Sequence, residues 1–388
     1  MNIIKKKTLV YGVTFILLAN IFYSSGSLNP LASADSNSES KISPSARYGH
    51  RMVFIPNKSE VFMFGGEVAY QSSTLLNQSW KYSTISNNWK YIVSDKSPCA
   101  RMSHGMVYIV RSNSILLFGG MNVIDVSRMN DMWEFNLETE KWEELVLAVS
   151  PSPRSDMSMY YDDSLNKVFL FGGYSPYGSK LSDMWEFDIR NQTWSEVNCS
   201  LKPRARYGHQ MVYNSHSHEG ILFGGNNAGM MNDLWAFNGS TLTWSELINT
   251  NPPPVRYWNC LTYMPSSNSI LVYGGRNDNF DGDSLSDSWK YSFVTKSWSE
   301  LLLNTNPSQR MFSFMVTDPN TSNVYLYGGV KNYNEESLDD FWVFLAQTNQ
   351  WNEITSNVVY WIIGGTIFLG CGIFVCYFLW RKKQQLKK

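Results

Sequence analysis

Six Gly-Gly pairs, each closing an apolar run, recur at 65–66, 119–120, 172–173, 224–225, 274–275 and 328–329. The intervals are 54, 53, 52, 50 and 54 residues. Such a period constrains the fold strongly, because each copy must be one supersecondary unit that buries its apolar face against its neighbours. Two tryptophans follow every pair, always nine residues apart: Trp80/Trp89, Trp133/Trp142, Trp185/Trp194, Trp235/Trp244, Trp289/Trp298 and Trp342/Trp351. An arginine stands 18 residues before each first glycine: Arg47, Arg101, Arg154, Arg206, Arg256 and Arg310. A proline precedes each arginine by three residues.

Arginine to glycine, tryptophan to tryptophan, and second tryptophan to the next arginine are all constant spacings. Only the stretch from first glycine to first tryptophan varies, from 11 to 15 residues. All length variation therefore sits in one loop per repeat. Each repeat reads as four short strands: a after the arginine, b ending at Gly-Gly, c with the first tryptophan and d with the second, separated by polar turns. Four strands per unit is one propeller blade, and six blades close a ring without exposed sheet edges. The glycines permit positive φ or close backbone approach, and the tryptophans supply flat surfaces for packing blade on blade.

With the motifs Pro-x-x-Arg-x-x-His, apolar-Gly-Gly and Asp-x-Trp-x-Phe/Tyr, residues 44–354 resemble a Kelch-repeat protein in six copies. The family's histidine is present as His50, His104 and His209, with Met157, Asn259 and Ser313 in the other three blades. The expected fold is all-β, a six-bladed propeller, with one C-terminal transmembrane helix added.

In an antiparallel blade the a–b and c–d turns share one face, and the b–c and d–a connections share the other. The variable loop is b–c, so that face is the expected binding surface. Its loops offer Tyr70, Tyr174, Tyr177, Phe280 and Tyr333 as aromatic anchors. Two readings of the arginines stand. The resemblance implies a ring near the axis that contacts acidic partners, as in some Kelch adaptors. The competing reading pairs them with Asp131, Asp183, Asp233, Asp287 and Asp340 at the start of strand c. Blade 1 has Gln78 in place of the aspartate. The oxygen-rich "DNFDGD" (278–283) could suit a Ca²⁺ loop by its oxygen content, but it lacks the rest of a cation-binding pattern and reads as a solvated loop.

A net charge of −1 carries no polyanion-binding signal and argues against a nucleic-acid partner. Resemblance to secreted copper-radical propeller enzymes raises an alternative, an anchored carbohydrate-active or oxidoreductase propeller. Yet the histidines fall in separate blades, except His216 and His218 in one turn. No nucleophilic triad, phosphate loop or acidic pair is visible. A non-enzyme without cofactor or resident metal is the expectation.

Both ends are apolar. Residues 1–34 read as a signal peptide with cleavage after Gly26 or Ala34, or as an uncleaved anchor, and 35–43 as a linker. Residues 358–380 comprise 23 uncharged residues followed by "RKKQQLKK" (381–388). They read as a membrane-spanning helix with a cytoplasmic tail, joined to the propeller by 355–357. "TIFLG" (366–370) has small-xxx-small spacing, which suits weak homodimerisation or an ordinary lipid-facing helix. The propeller would then face the cell exterior or a lumen, as a single-pass type I protein. Sequons at Asn57, Asn77, Asn191, Asn198, Asn238 and Asn320 suit that compartment. Three cysteines in this region are too few and too irregularly spaced for a disulfide framework. Because strand d of blade 6 runs toward the b–c/d–a face, that face should lie near the bilayer. The expected function is binding a protein or surface glycan at the same membrane, with lipid contact through the helix.

Overall fold

The computed structural model describes residues 43–68, 74–122, 127–277, 284–332 and 335–355, and the backbone of 361–363 and 366–368. Six four-stranded antiparallel sheets follow one another along the chain. Blade 3 is representative, with strands Ser158–Asp162, Lys167–Tyr174, Lys180–Asp188 and Thr193–Val197 in the order a-b-c-d. The a strands are neighbours around the ring, and that of blade 1 (Arg51–Ile55) lies against those of blade 2 (Gly105–Ile109) and blade 6 (Phe314–Thr317). They line the axis, and the d strands form the outer rim.

The core lies between blades. The second tryptophan of each blade packs on strand b of the preceding one: Trp142 on Phe64, Trp194 on Phe118, Trp244 on Phe171, Trp298 on Phe223 and Trp351 on Tyr273. Trp89 repeats this against Tyr327 of blade 6 and so closes the circle. His50, His104 and His209 lie fully buried at these junctions, edge-on to Tyr327, Phe64 and Phe171. Burial pushes all three imidazoles well down, that of His209 to about 3, so they are neutral.

All twelve paired glycines have positive φ. A Cβ on Gly65 would meet the Arg101 carbonyl of the next blade at 2.7 Å, so strand b leaves its sheet where two backbones touch. Strand b was expected to end at Gly-Gly. In blades 2 and 3 it continues to Asn122 and Tyr174, because the register shifts at the glycines and pairing resumes with a longer strand c.

Of the expected span 358–380, the described residues form two three-residue strands, Trp361–Ile363 and Thr366–Phe368, paired antiparallel. The rest of the span, the tail and residues 1–42 lie outside the described residues. No helix among the described residues is long and apolar enough to cross a membrane.

Candidate functional site: the axial mouth

Each motif arginine extends from the residues that enter strand a. All six are fully buried. Arg154 donates from Nη1 to Asp183 Oδ1 at 2.8 Å and from Nη2 to Oδ2 at 2.6 Å. Its Nη1 also reaches the carbonyl of Gly172, and Trp185 Nε1 donates to the same carboxylate at 2.7 Å. Arg101–Asp131, Arg206–Asp233, Arg256–Asp287 and Arg310–Asp340 repeat this bidentate geometry. Burial opposes ionisation of Asp131, Asp183 and Asp233, but hydrogen bonds from arginine and tryptophan outweigh it and hold these carboxyls below the usual range. The arginines therefore brace strand a against strands b and c. They do not form an accessible basic ring, which corrects the binding role suggested for Arg47, Arg101, Arg154, Arg206, Arg256 and Arg310. Five of the guanidinium groups are consumed by carboxylates, and that of Arg47 by the Gln78 side-chain oxygen, 27 to 31 residues away on the same blade.

The second residue after each arginine is at the axis: Gly49, Ser103, Asp156, Gly208, Trp258 and Phe312. All six have φ between 53° and 67°. Their backbones form a closed ring of hydrogen bonds in which each N–H donates to the carbonyl of the preceding blade, at 2.7 to 3.2 Å. The left-handed conformation suits glycine, yet two blades place a tryptophan and a phenylalanine there.

Above this ring, on the b–c/d–a face, lies a cavity of about 290 Å³. Aromatic rings form an arc around it. Tyr174 meets Tyr207 at 5.1 Å, Tyr207 meets Trp258 at 6.0 Å, Trp258 stacks on Phe312 at 4.1 Å, and Phe312 meets Tyr48 at 5.7 Å. Met102 and Met121 of blade 2 complete the wall. Tyr48 donates to Glu67 Oε2 at 2.5 Å; its burial and this carboxylate push the phenol well up. On the floor, Asp156 accepts from Ser155 Oγ at 2.8 Å and Trp258 Nε1 at 3.1 Å. Arg128 joins this network through Ser155 and lies over the Tyr174 ring at 4.8 Å. Below, buried Arg51 donates to the His104 carbonyl at 2.6 Å, and burial lowers its pKa to about 10.

Of the expected aromatic anchors, Tyr174 lines this mouth and Tyr177 is 95% exposed in the adjoining loop. Tyr70, Phe280 and Tyr333 lie outside the described residues, as does "DNFDGD". Sequence reasoning missed Tyr48, Tyr207, Trp258, Phe312 and Asp156. The signal was available: they sit one or two residues after the invariant arginine, where other blades carry Met, Ser or Gly. His216 and His218 lie in an a–b turn on the opposite face, with His218 Nδ1 2.9 Å from Tyr213 Oη. No group of three or more metal-ligating side chains occurs among the described residues.

A closed ring of six contiguous four-stranded blades defines a β-propeller. The family model described as "KLHDC2/KLHL20/DRC7 Kelch-repeats domain" matches residues 33–217 and 215–359, and the chain belongs to that Kelch-repeat family. It is 29% identical over 197 residues to the leucine-zipper-like transcriptional regulator 1 homolog of Drosophila melanogaster, covering 47% of this chain and 19% of that protein. It is 27% identical over 191 residues to multiple epidermal growth factor-like domains protein 8 of Mus musculus, covering 46% and 6%. Host cell factor of Drosophila melanogaster is 29% identical over 208 residues, covering 45% and 13%. The matches thus span under a fifth of each of these relatives.

Proposed function

We propose that this chain is a membrane-anchored interaction module whose b–c/d–a face binds a partner protein, with the axial mouth as anchor point. The aromatic arc carries the reading. Bulky rings held in an unfavourable backbone conformation, around a cavity that accommodates one or two side chains, are a preorganised site for an apolar or aromatic group. Kinship with a named transcriptional regulator and with host cell factor supports an interaction role, and none of these names describes a reaction. A surface glycan is the second reading, favoured by the flat Trp258–Phe312 stack.

The anchor is residues 358–380, and the propeller faces the exterior or a lumen. An isolated two-stranded pair leaves edges unpaired, which hydrocarbon does not tolerate; a helix of the same residues satisfies its backbone internally. Asn57, Asn191 and Asn320 are exposed and suited to glycosylation. A mobility shift on glycosidase treatment is expected. Proximity labelling at the cell surface tests the whole reading: partners seen with the native chain should vanish when Trp258 and Phe312 are both replaced by glycine. An unchanged partner set would overturn it.

A further inference from the structure

The position four residues after the second tryptophan is where strand d reaches the b–c/d–a face. Four blades place an aliphatic side chain there, and all four are highly exposed: Val93 79%, Val146 92%, Ile248 60% and Leu302 87%. The residue just before each is a buried or half-buried aliphatic, so the exposed one has no core role. In blade 6 the equivalent residue is Thr355, and the uncharged 23-residue segment begins three residues later. In blade 3, opposite blade 6 in the ring, it is Asn198, exposed and in a sequon.

Three of the connecting segments are uncharged. The d–a links from blade 2 to 3 (145–153), 4 to 5 (247–255) and 5 to 6 (301–309) contain no charged residue. The link from blade 3 to 4 carries exposed Lys202 and Arg204 beside exposed Leu201, and that from blade 1 to 2 carries exposed Asp95 and Lys96. The exposed aliphatic positions at the end of strand d thus flank blade 6 on both sides, in blades 5 and 4 and in blades 1 and 2.

We infer that this rim is a lipid-contacting surface: the propeller lies tilted on its own bilayer, blade 6 lowest, with Leu302, Ile248, Val93 and Val146 in the interfacial layer. The inference rests on the proposed anchor. The segment after Ile354 is too short to hold this sector away from the membrane, since three extended residues span only about 10 Å. Scattered aliphatic side chains at a headgroup boundary gain burial without needing a shaped partner. A rigid rim also fixes which way the axial mouth opens, toward the space beside the membrane.

The test uses the full chain reconstituted in phosphatidylcholine vesicles. A photoreactive phenylalanine analogue replaces Leu302, Ile248 or Val93, and, as controls on the opposite face, Val110 or Val294. Illumination is expected to give several-fold more lipid adduct at the three rim positions than at the two controls. Equal labelling of both faces, or rim adducts with protein alone, would overturn the inference. Carbonate extraction separates the two claims. A chain that resists extraction yet shows no rim labelling keeps its anchor and loses the lipid-contacting rim. A chain released by carbonate loses both.

Discussion

Arg47 donates from Nη2 to the side-chain oxygen of Gln78 at 2.7 Å, where each of the other five blades presents a carboxylate to its arginine. Gln78 also accepts from Trp80 Nε1 at 3.2 Å, so the amide copies the aspartate's connections without its charge. Arg47 is as buried as the others, and desolvation lowers its pKa to about 10, whereas Asp131 raises that of Arg101 despite burial. Replacing Gln78 with aspartate should give this guanidinium a counter-charge. The expected gain is about 1.5–3 kcal/mol, the usual worth of hydrogen bonds to charged groups, read as a higher midpoint in urea unfolding.

The reverse change should be costly. Asp183→Ala leaves Arg154 buried with no carboxylate and removes the acceptor of Trp185 Nε1. A loss of roughly 3–5 kcal/mol is expected, as for other broken buried pairs. Asp183→Asn should cost less, because Gln78 shows that an amide fits the equivalent place. Equilibrium unfolding of the two variants side by side decides it.

Stability should fall on acidification in two stages. The unfolded histidines take up protons as pH drops through about 6.5, whereas His209 in the fold resists down to about 3. Because the unfolded state then binds more protons, each such histidine costs up to about 1.4 kcal/mol per pH unit. Below about pH 4 the depressed carboxyls of Asp131, Asp183 and Asp233 add a second loss, since their stabilising contribution disappears as they protonate. His209→Met, which copies Met157 of blade 3, should flatten the first stage. Melting temperatures at pH 7, 5 and 4 provide the check.

Trp258→Gly and Phe312→Gly should spare the fold. Gly49 and Gly208 occupy the same left-handed position in the same hydrogen-bonded ring. Relief of about 1–2 kcal/mol of backbone cost offsets the lost stacking at each site. The melting temperature should change little while partner capture is lost. A large drop in melting temperature would assign these rings to the scaffold.

Much of the fold was legible in the sequence because the repeat supplies its own controls. Constant spacings from Arg47 to Gly65 and from Trp80 to Trp89, repeated six times, leave little freedom in how the strands connect. The Arg154–Asp183 pair was readable from six arginines set against five aspartates, but its burial was not, since an arginine near an axis can serve as ligand or brace. The axial mouth was hidden for a different reason. Tyr48, Tyr207, Trp258 and Phe312 come from different blades, and only ring closure brings them together. The expected helix at 358–380 rested on hydropathy and flanking charge, which describe a lipid environment rather than the paired strands Trp361–Ile363 and Thr366–Phe368.

Among the described residues each four-stranded blade is drawn from one stretch of chain, and no strand from one end fastens the other. The seam between blades 6 and 1 is held by side-by-side contacts: Gly329 N–H to the Arg47 carbonyl, Arg47 N–H to that of Leu338, Gly49 N–H to that of Phe312, and Tyr327 Oη to that of Pro44. Trp89, which covers it, is half-buried, whereas its five counterparts are buried. The chain leaves from Gln350–Glu353, the outermost strand of blade 6. A pull on that end therefore loads the hydrogen bonds to Phe341–Leu345 one after another, as a zipper opens, instead of shearing them together. Under tension the ring should come apart at this blade first, a low-force failure at one defined place, with the other five blades still packed.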